Sequence, residues 1–154
     1  MERTPEPRRR CISTPIGALT LVSDGHALVQ ARLGGCDARD ACPVLDWAQR
    51  ELEEYFAGSR RVFCVPLRPL GTPFRLRVWS ILRKIPYGQT RSYSEVALAV
   101  GNPGACRAVG QANHFNPLLI FVPCHRVINA GGGLGGYAGG LEVKRWLLAL
   151  EQKG

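Results

Sequence analysis

The sequence predicts an α/β first half, residues 1–69, joined to a mainly α second half, residues 70–154, that holds a helix-turn-helix. Three observations carry this. The first half shows hairpin-type alternation ahead of one amphipathic helix. The second half shows four short helical runs, the middle two bracketing an Asn-Pro-Gly turn. Between the halves stands "RPLGTP", with the composition of a linker.

The elements follow in order. Residues 1–10 are expected to be a loose tail. "GALTLVS" and "ALVQARL" flank Asp24-Gly25, a turn signal, and read as a β-hairpin. From Val44 to Phe56 the apolar positions follow helical spacing, and Gly58 ends the run. "RVFCVPL" reads as a further strand, pushed toward an edge by Pro66. Thr72 is an N-cap with Pro73 at the first helical position, and Phe74, Val78, Ile81, Leu82 and Ile85 form the buried stripe. Ser92 and Glu95 make a capping box that opens a short helix through Val100. "ACRAVGQAN" is the second helix of the pair. "LLIFV", residues 118–122, reads as a buried strand that delivers Pro123-Cys124, and the chain closes with a helix over 141–150.

Composition narrows the function. Apolar residues are 45% of the 154, enough for a packed core. No apolar run approaches the ~20 residues that span a bilayer, and no apolar segment follows the basic start "MERTPEPRRRC". A soluble cytoplasmic protein with no membrane association is expected. The six cysteines, at 11, 36, 42, 64, 106 and 124, contain no C-x-x-C pair, so reduced thiols are expected and no metal site. The net charge is +8. Residues 1–71 balance ten arginines against nine acids, whereas residues 72–154 set ten Lys/Arg against Glu95, Glu142 and Glu151. A basic half is the footprint of a polyanion partner, although solubility alone would also account for it.

The stretch "FVPCHRVINAGGGLGGYAGG" holds the candidate chemistry. A thiol of pKa ~8.5 is mostly protonated at neutral pH, while the thiolate is the nucleophile. A neighbouring base, itself oriented by a third group, activates it. His125 adjoins Cys124 in sequence, but neighbours on a regular strand face opposite ways. The pair works together if the chain turns after Pro123 or if a water bridges them. Glu151 is the orienting candidate, because Glu95 and Glu142 lie near helix starts. In the second helix Ala105, Ala108, Gly110 and Ala112 are small, which suits close approach to a ligand or to another helix.

The segments "IPYGQTRSYSEVA", "GNPGACRAVGQANHFNPLLIFVPCHRVI" and "GYAGGLEVKRWLLALE" resemble the O6-alkylguanine-DNA alkyltransferases. The resemblance covers residues 72–151 throughout, and "TPIGALTL" and "ELEEYFAGSRRVFCVPL" extend it weakly over the first half. It implies a ribonuclease-H-like α/β domain without catalytic role, over 1–69, and a winged-helix-like DNA-binding and alkyl-acceptor domain over 70–154. It also implies direct reversal of damage in double-stranded DNA. The alkylated guanine is flipped out of the stack, and its alkyl group moves once, irreversibly and without a cofactor, to Cys124.

On the same resemblance His125, through a water, and Glu151 help form the thiolate. Tyr93 stabilises the leaving O6 and crowds the DNA backbone, and Asn116 pins the turn before the strand. Arg107 takes the place of the flipped base, with Ala105, Ala108, Gly110, Ala112 and Arg126 in the DNA-facing set. The backbone at Cys124 and Val127 accepts from the guanine amine, and Tyr137, Ala138 and Gly139 wall the base pocket. A monomer associated with the nucleoid is expected. The balance between O6-alkylguanine and O4-alkylthymine stays open.

Three departures from the family pattern stand out. Ala138 replaces a serine of several relatives, His114-Phe115 stands where glycine or a cation is common, and the N-terminal zinc pattern of some members is missing. The alternatives are a non-catalytic alkylated-base recognition protein, in which the cysteine is replaced, or a DNA-binding transcription regulator. A cysteine hydrolase would need an oxyanion hole that nothing marks.

Overall fold

Asp24 turns the chain by a local mechanism. Its Oδ1 accepts from the backbone N–H of both His26 and Ala27 at 2.8 Å, and Gly25 takes the left-handed φ of 96° that the bend requires. In this computed structural model, which describes residues 6–153, that turn joins β2 (Gly17–Ser23) to β3 (Leu28–Leu33). Strand β1 (Arg8–Thr14) pairs antiparallel with the other side of β2, giving the order β1-β2-β3. Residues 8–10 are therefore strand and not tail. Arg9 donates its backbone N–H to Asp40, and Arg10 pairs with Asp46 at 2.7 Å. Of the rest of the expected tail, residues 6–7 are exposed and irregular, and residues 1–5 lie outside the described residues. Helix α1 (Pro43–Phe56) covers the sheet, with Leu45, Ala48, Leu52 and Tyr55 fully buried alongside Leu19, Leu21 and Leu28.

The strand expected over 61–67 does not form. The buried Glu51 carboxylate accepts from the backbone N–H of Cys64 and Val65, both at 2.9 Å. Pro66 has no N–H to offer. What remains is a single bridge, in which Leu28 donates to Pro66 and Arg68 donates back to Leu28.

The chain divides into two compact units between Pro69 and Leu70. In the second, the Thr72 hydroxyl caps α2 (Pro73–Leu82) by accepting from Arg75 N–H at 3.2 Å. The buried face is Val78, Trp79 and Leu82, with Phe74 and Ile81 half-buried and Ile85 buried just past the helix end. Trp79, absent from the expected stripe, is anchored by Nε1 donating to Ala112 O at 2.8 Å. Strand β4 (Arg91–Ser92) leads into α3 (Tyr93–Ala99), whose capping box of Ser92 and Glu95 is complete. The turn after Gly101 feeds α4 (Cys106–His114), which packs on α3 and α2. These two helices are the helix-turn-helix. Strand β5 (Val127–Ile128) pairs parallel with β4, and α5 (Leu141–Gln152) closes the unit. Among the described residues no helix is long and apolar enough to cross a membrane.

"LLIFV" is buried throughout, as its composition requires, but it is not a strand. Val122 N–H reaches back to Leu118 O at 2.9 Å, and Ile120 takes φ 75°. A β-branched residue in that region is costly and must be held there by its surroundings. The restraint comes from Asn116.

Candidate active site

Asn116 bonds both ends of this buried turn. Its Oδ1 accepts from Leu118 N–H at 2.9 Å, and its Nδ2 donates to Val122 O at 2.8 Å and to Cys124 Sγ at 3.2 Å. Pro123, at φ −81° and ψ 64°, then makes an inverse γ-turn, with Cys124 N–H on Val122 O at 2.8 Å. Residues Cys124–Arg126 form one 3₁₀ turn. The alternation of a strand is thereby abolished, and Cys124 and His125 are not forced to opposite faces.

Behind the thiol lies a buried polar cluster. His125 Nε2 and Glu151 Oε2 are 2.7 Å apart, with His125 fully buried and Glu151 3% exposed. Arg126 donates Nε to Glu151 Oε1 at 2.8 Å, Nη2 to Oε2 at 3.0 Å, and Nη1 to Ile85 O at 2.7 Å. Gly88 N–H adds a bond to Oε1 at 3.3 Å. This corrects the expectation that Arg126 faces DNA. It is 6% exposed and its donors are taken by the interior.

Each ionisation follows from this packing. Burial opposes charge on Glu151, but the hydrogen bonds and charges of His125 and Arg126 outweigh it and hold the carboxyl well below the ordinary range. Burial also lowers the His125 pKa, only partly offset by Glu151, so the ring is neutral. Facing a carboxylate, Nε2 must then carry the proton and Nδ1 the lone pair. Nδ1 is a buried atom with no hydrogen-bond partner in the protein. Burial pushes the Cys124 thiol up to about 11, against the Asn116 hydrogen bond and the charge of Lys144, which both favour the thiolate.

Lys144 was not foreseen. It is fully buried on α5, and its Nζ donates to Val127 O at 2.6 Å, to Gly136 O at 3.0 Å and to Leu134 O. Burial lowers its pKa to about 8, while Cys124 favours the charged form. A signal was available: Lys144, Leu147 and Glu151 share one helix face at i, i+3 and i+7.

The lysine ties down the glycine loop. Asn129 N–H bonds Gly133 O at 2.8 Å to close its turn. Gly135 sits at φ 70° so close to Tyr93 that a Cβ there would lie 2.7 Å from the phenol oxygen. Between this loop and α3–α4 lies a cavity of about 420 Å³, within the size range of small-molecule sites. Tyr93, Arg107, Gly110, Cys124, Tyr137 and Ala138 line it, with Asn113, Asn129 and His114 also at its wall.

Other expected residues fall elsewhere. Val127 is fully buried and Gly139 lies outside the lining. Ala105 and Ala112 are on the buried side of α4, and Ala112 O is held by Trp79, so neither faces out. Arg107, Ala108, Gln111 and His114 form the exposed face. Burial raises the phenol pKa of both Tyr93 and Tyr137, which leaves two neutral hydroxyls beside the thiol. Asn113 Oδ1 and Tyr137 Oη are buried without partners. Unsatisfied polar atoms in a cavity wall suit a ligand with donors and acceptors on its edge.

The fold and site define a class: a buried cysteine in a cavity wall, followed by a carboxylate-held histidine and faced by the second helix of a helix-turn-helix. The chain belongs to the 6-O-methylguanine DNA methyltransferase family, a family of DNA-repair methyltransferases. The family's DNA-binding domain matches residues 73–153 and its ribonuclease-like domain matches residues 8–69. The chain is 45% identical to the constitutive methylated-DNA–protein-cysteine methyltransferase of Bacillus subtilis, over 90% of this chain and 92% of that one. It is 47% identical to the methylated-DNA–protein-cysteine methyltransferase of Mycobacterium tuberculosis, over 93% and 91% of the two. The crystal structure of M. tuberculosis OGT in complex with DNA superposes with a TM-score of 0.88 at 47% identity, covering 95% of this chain and 93% of that one.

Proposed function

We propose that this chain repairs duplex DNA by moving the alkyl group of O6-alkylguanine onto Cys124 Sγ, once per molecule. The observation that carries the reading is the position of Cys124. Its sulfur lies in the wall of a base-sized cavity, 3.2 Å from Asn116 Nδ2, directly before the His125–Glu151 pair.

The residues divide the work. His125 Nδ1 takes the thiol proton through a bridging water, and Glu151 stabilises the imidazolium that forms. The thiolate attacks the alkyl carbon, forming the S–C bond as the O6–C bond breaks. The electron pair released onto guanine is met by the Tyr93 hydroxyl, and the proton from the thiol ends on the base. The product is a thioether and a normal guanine, with nothing to regenerate the thiol. A guanine edge supplies partners for Asn113 Oδ1 and Tyr137 Oη, and the backbone at Ala138 faces O6.

An O6 substituent is stacked within the duplex, so the nucleotide must be extruded. The exposed face of α4, with Ala108 at its centre and Arg107 at the cavity rim, enters the groove. Arg107 fills the place of the extruded base. On this reading residues 70–154 hold both the DNA-binding surface and the chemistry, and residues 1–69 hold neither. The chain works as a monomer on DNA, and so at the nucleoid.

Intact-mass analysis after incubation with a duplex carrying one O6-methylguanine tests the reading. One methyl gained, mapped to Cys124, with no turnover on excess substrate, is expected. A methyl on Cys106, or continued turnover, would overturn it.

A further inference from the structure

The surface of α4 does not end at the cavity. His114 lines the cavity wall, and its ring meets Phe115 edge-on, with centroids 4.9 Å apart and planes at 83°. Phe115 is 51% exposed, a large aromatic with half its surface in water. The Arg75 guanidinium stacks over the same ring, 4.4 Å from its centroid. Arg75 belongs to the first turn of α2, where the Thr72 cap holds its backbone N–H. A continuous strip therefore runs from Arg107 through Gly110 and His114 to Phe115 and Arg75.

No acid neutralises this strip. Neither α2 nor α4 contains a carboxylate. Of the three acids in residues 72–154, Glu151 is buried with Arg126, Glu95 closes its own capping box, and Glu142 stands in the first turn of α5 with no ion pair to Arg75. Among the described residues Arg75 has no ion pair. A guanidinium laid on an aromatic face has lost much of its rotamer freedom while its in-plane N–H donors stay unspent. Planar donors fixed in this way match a phosphate.

We infer that Arg75, held on Phe115, is a preformed clamp for a DNA phosphate beyond the flipped nucleotide. The inference rests on the DNA-repair reading above. Position 115 lies eight residues past Arg107, about 12 Å along a helix axis at 1.5 Å per residue. DNA places one phosphate per strand about every 3.4 Å of its axis. The clamp thus reaches a phosphate within a few nucleotides of the one that Arg107 displaces. It also gives a role to the His114-Phe115 pair, which departs from the family pattern.

The test is the salt dependence of duplex binding for wild type, Arg75→Ala, Arg75→Lys, Phe115→Leu and the Arg75→Ala/Phe115→Leu pair. Each phosphate contact adds about 0.9 to the slope of log K against log salt. Arg75→Ala is expected to make the slope shallower by about 0.9, so that its deficit in affinity grows about eight-fold for each ten-fold drop in salt. Phe115→Leu keeps the apolar bulk but removes the ring face. It should lose part of that affinity, and the double variant should be no weaker than Arg75→Ala alone. Arg75→Lys should keep the slope but lose some affinity, since an ammonium does not stack as a plane. Methyl transfer from the free base should keep its wild-type rate in all four, which also shows that they fold. An Arg75→Ala slope equal to wild type would overturn the clamp while leaving the repair reading intact. Wild type that bound no duplex and took no methyl would overturn both.

Discussion

Arg126 and Glu151 lie 25 residues apart in sequence and are joined by two hydrogen bonds, Nε to Oε1 at 2.8 Å and Nη2 to Oε2 at 3.0 Å. The same Oε2 faces His125 at 2.7 Å. One carboxylate thus fixes both the residue after the thiol and the residue after that. The third guanidinium nitrogen ties the cluster to Ile85 O.

This makes Arg126 a stability residue. Removing one partner of a buried ion pair strands the other, at a cost of about 3–5 kcal/mol. Arg126→Ala should therefore lower the unfolding free energy from urea titration by that amount while leaving the salt slope of duplex binding unchanged. Arg126→Lys should recover little, because an ammonium cannot fork onto both oxygens while holding Ile85 O. A folded, fully stable Arg126→Ala with a shallower salt slope would return Arg126 to the DNA surface.

Acid should attack the same cluster. Glu151 has a folded pKa below its ordinary 4.5, and His125 one below its ordinary 6.5. In both cases the unfolded chain binds more protons between the two values. Their stabilisation is thus complete above the ordinary pKa, declines as pH falls below it, and is gone once pH falls through the lower folded value. Stability should begin to decline below pH 6.5 through His125 and fall more steeply below 4.5 through Glu151. Glu151→Gln should be less stable at pH 7 but should lack the steep limb. Urea unfolding across pH 3.5–7.5 measures both limbs.

The legible elements are those decided by near neighbours. Thr72-Pro73, Ser92 with Glu95, and Asp24-Gly25 each specify a cap or turn with groups a few residues apart, and each forms. Partners distant in sequence leave less trace. "LLIFV" is a different case: its partner Asn116 is only two to six residues away, but an apolar run announces its burial and not that a side chain will take its backbone groups. "RVFCVPL" has strand composition, yet Glu51 from α1 takes its amides. A charged residue reads as surface until its partner is known, and the partners of Arg126 and Lys144 lie in other elements: Glu151 and Ile85 for the first, the glycine-loop carbonyls for the second. The cysteine and its neighbours were legible because they follow one another in "PCHRV"; the lysine that ties their loop came from α5.

Lys144 should control the loop. Lys144→Met keeps the buried stem but strands the carbonyls of Val127, Leu134 and Gly136. Each buried orphan costs about 1–3 kcal/mol unless the loop opens to water. Opening is expected, with faster hydrogen exchange over 133–137 and slower transfer from both free base and DNA. Lys144→Arg should not rescue, since a longer planar guanidinium does not place its donors where one ammonium meets three carbonyls. Unchanged exchange in the loop with slow transfer would instead assign Lys144 to the thiolate charge alone.

The last prediction concerns how the thiol ionises. Burial holds Cys124 near 11, so at neutral pH almost none of it is thiolate in the resting site. Activity then depends on a base that removes the proton as the reaction proceeds. On the proposed reading that base is neutral His125, with Nε2–H on Glu151 and a bare Nδ1. A positioned general base contributes about 10²–10⁴-fold. His125→Ala should lose transfer by about that factor at pH 7 and regain part of it toward pH 11, where Cys124 ionises unaided. Glu151→Gln should lose less, because the imidazole remains but its cation is no longer stabilised. Transfer rate against pH for the two variants and wild type measures this. A His125→Ala profile parallel to wild type, with a lower plateau and no alkaline recovery, would make His125 a packing residue. The thiolate would then rest on Asn116 and Lys144, and Asn116→Ala would be the variant that moves the profile.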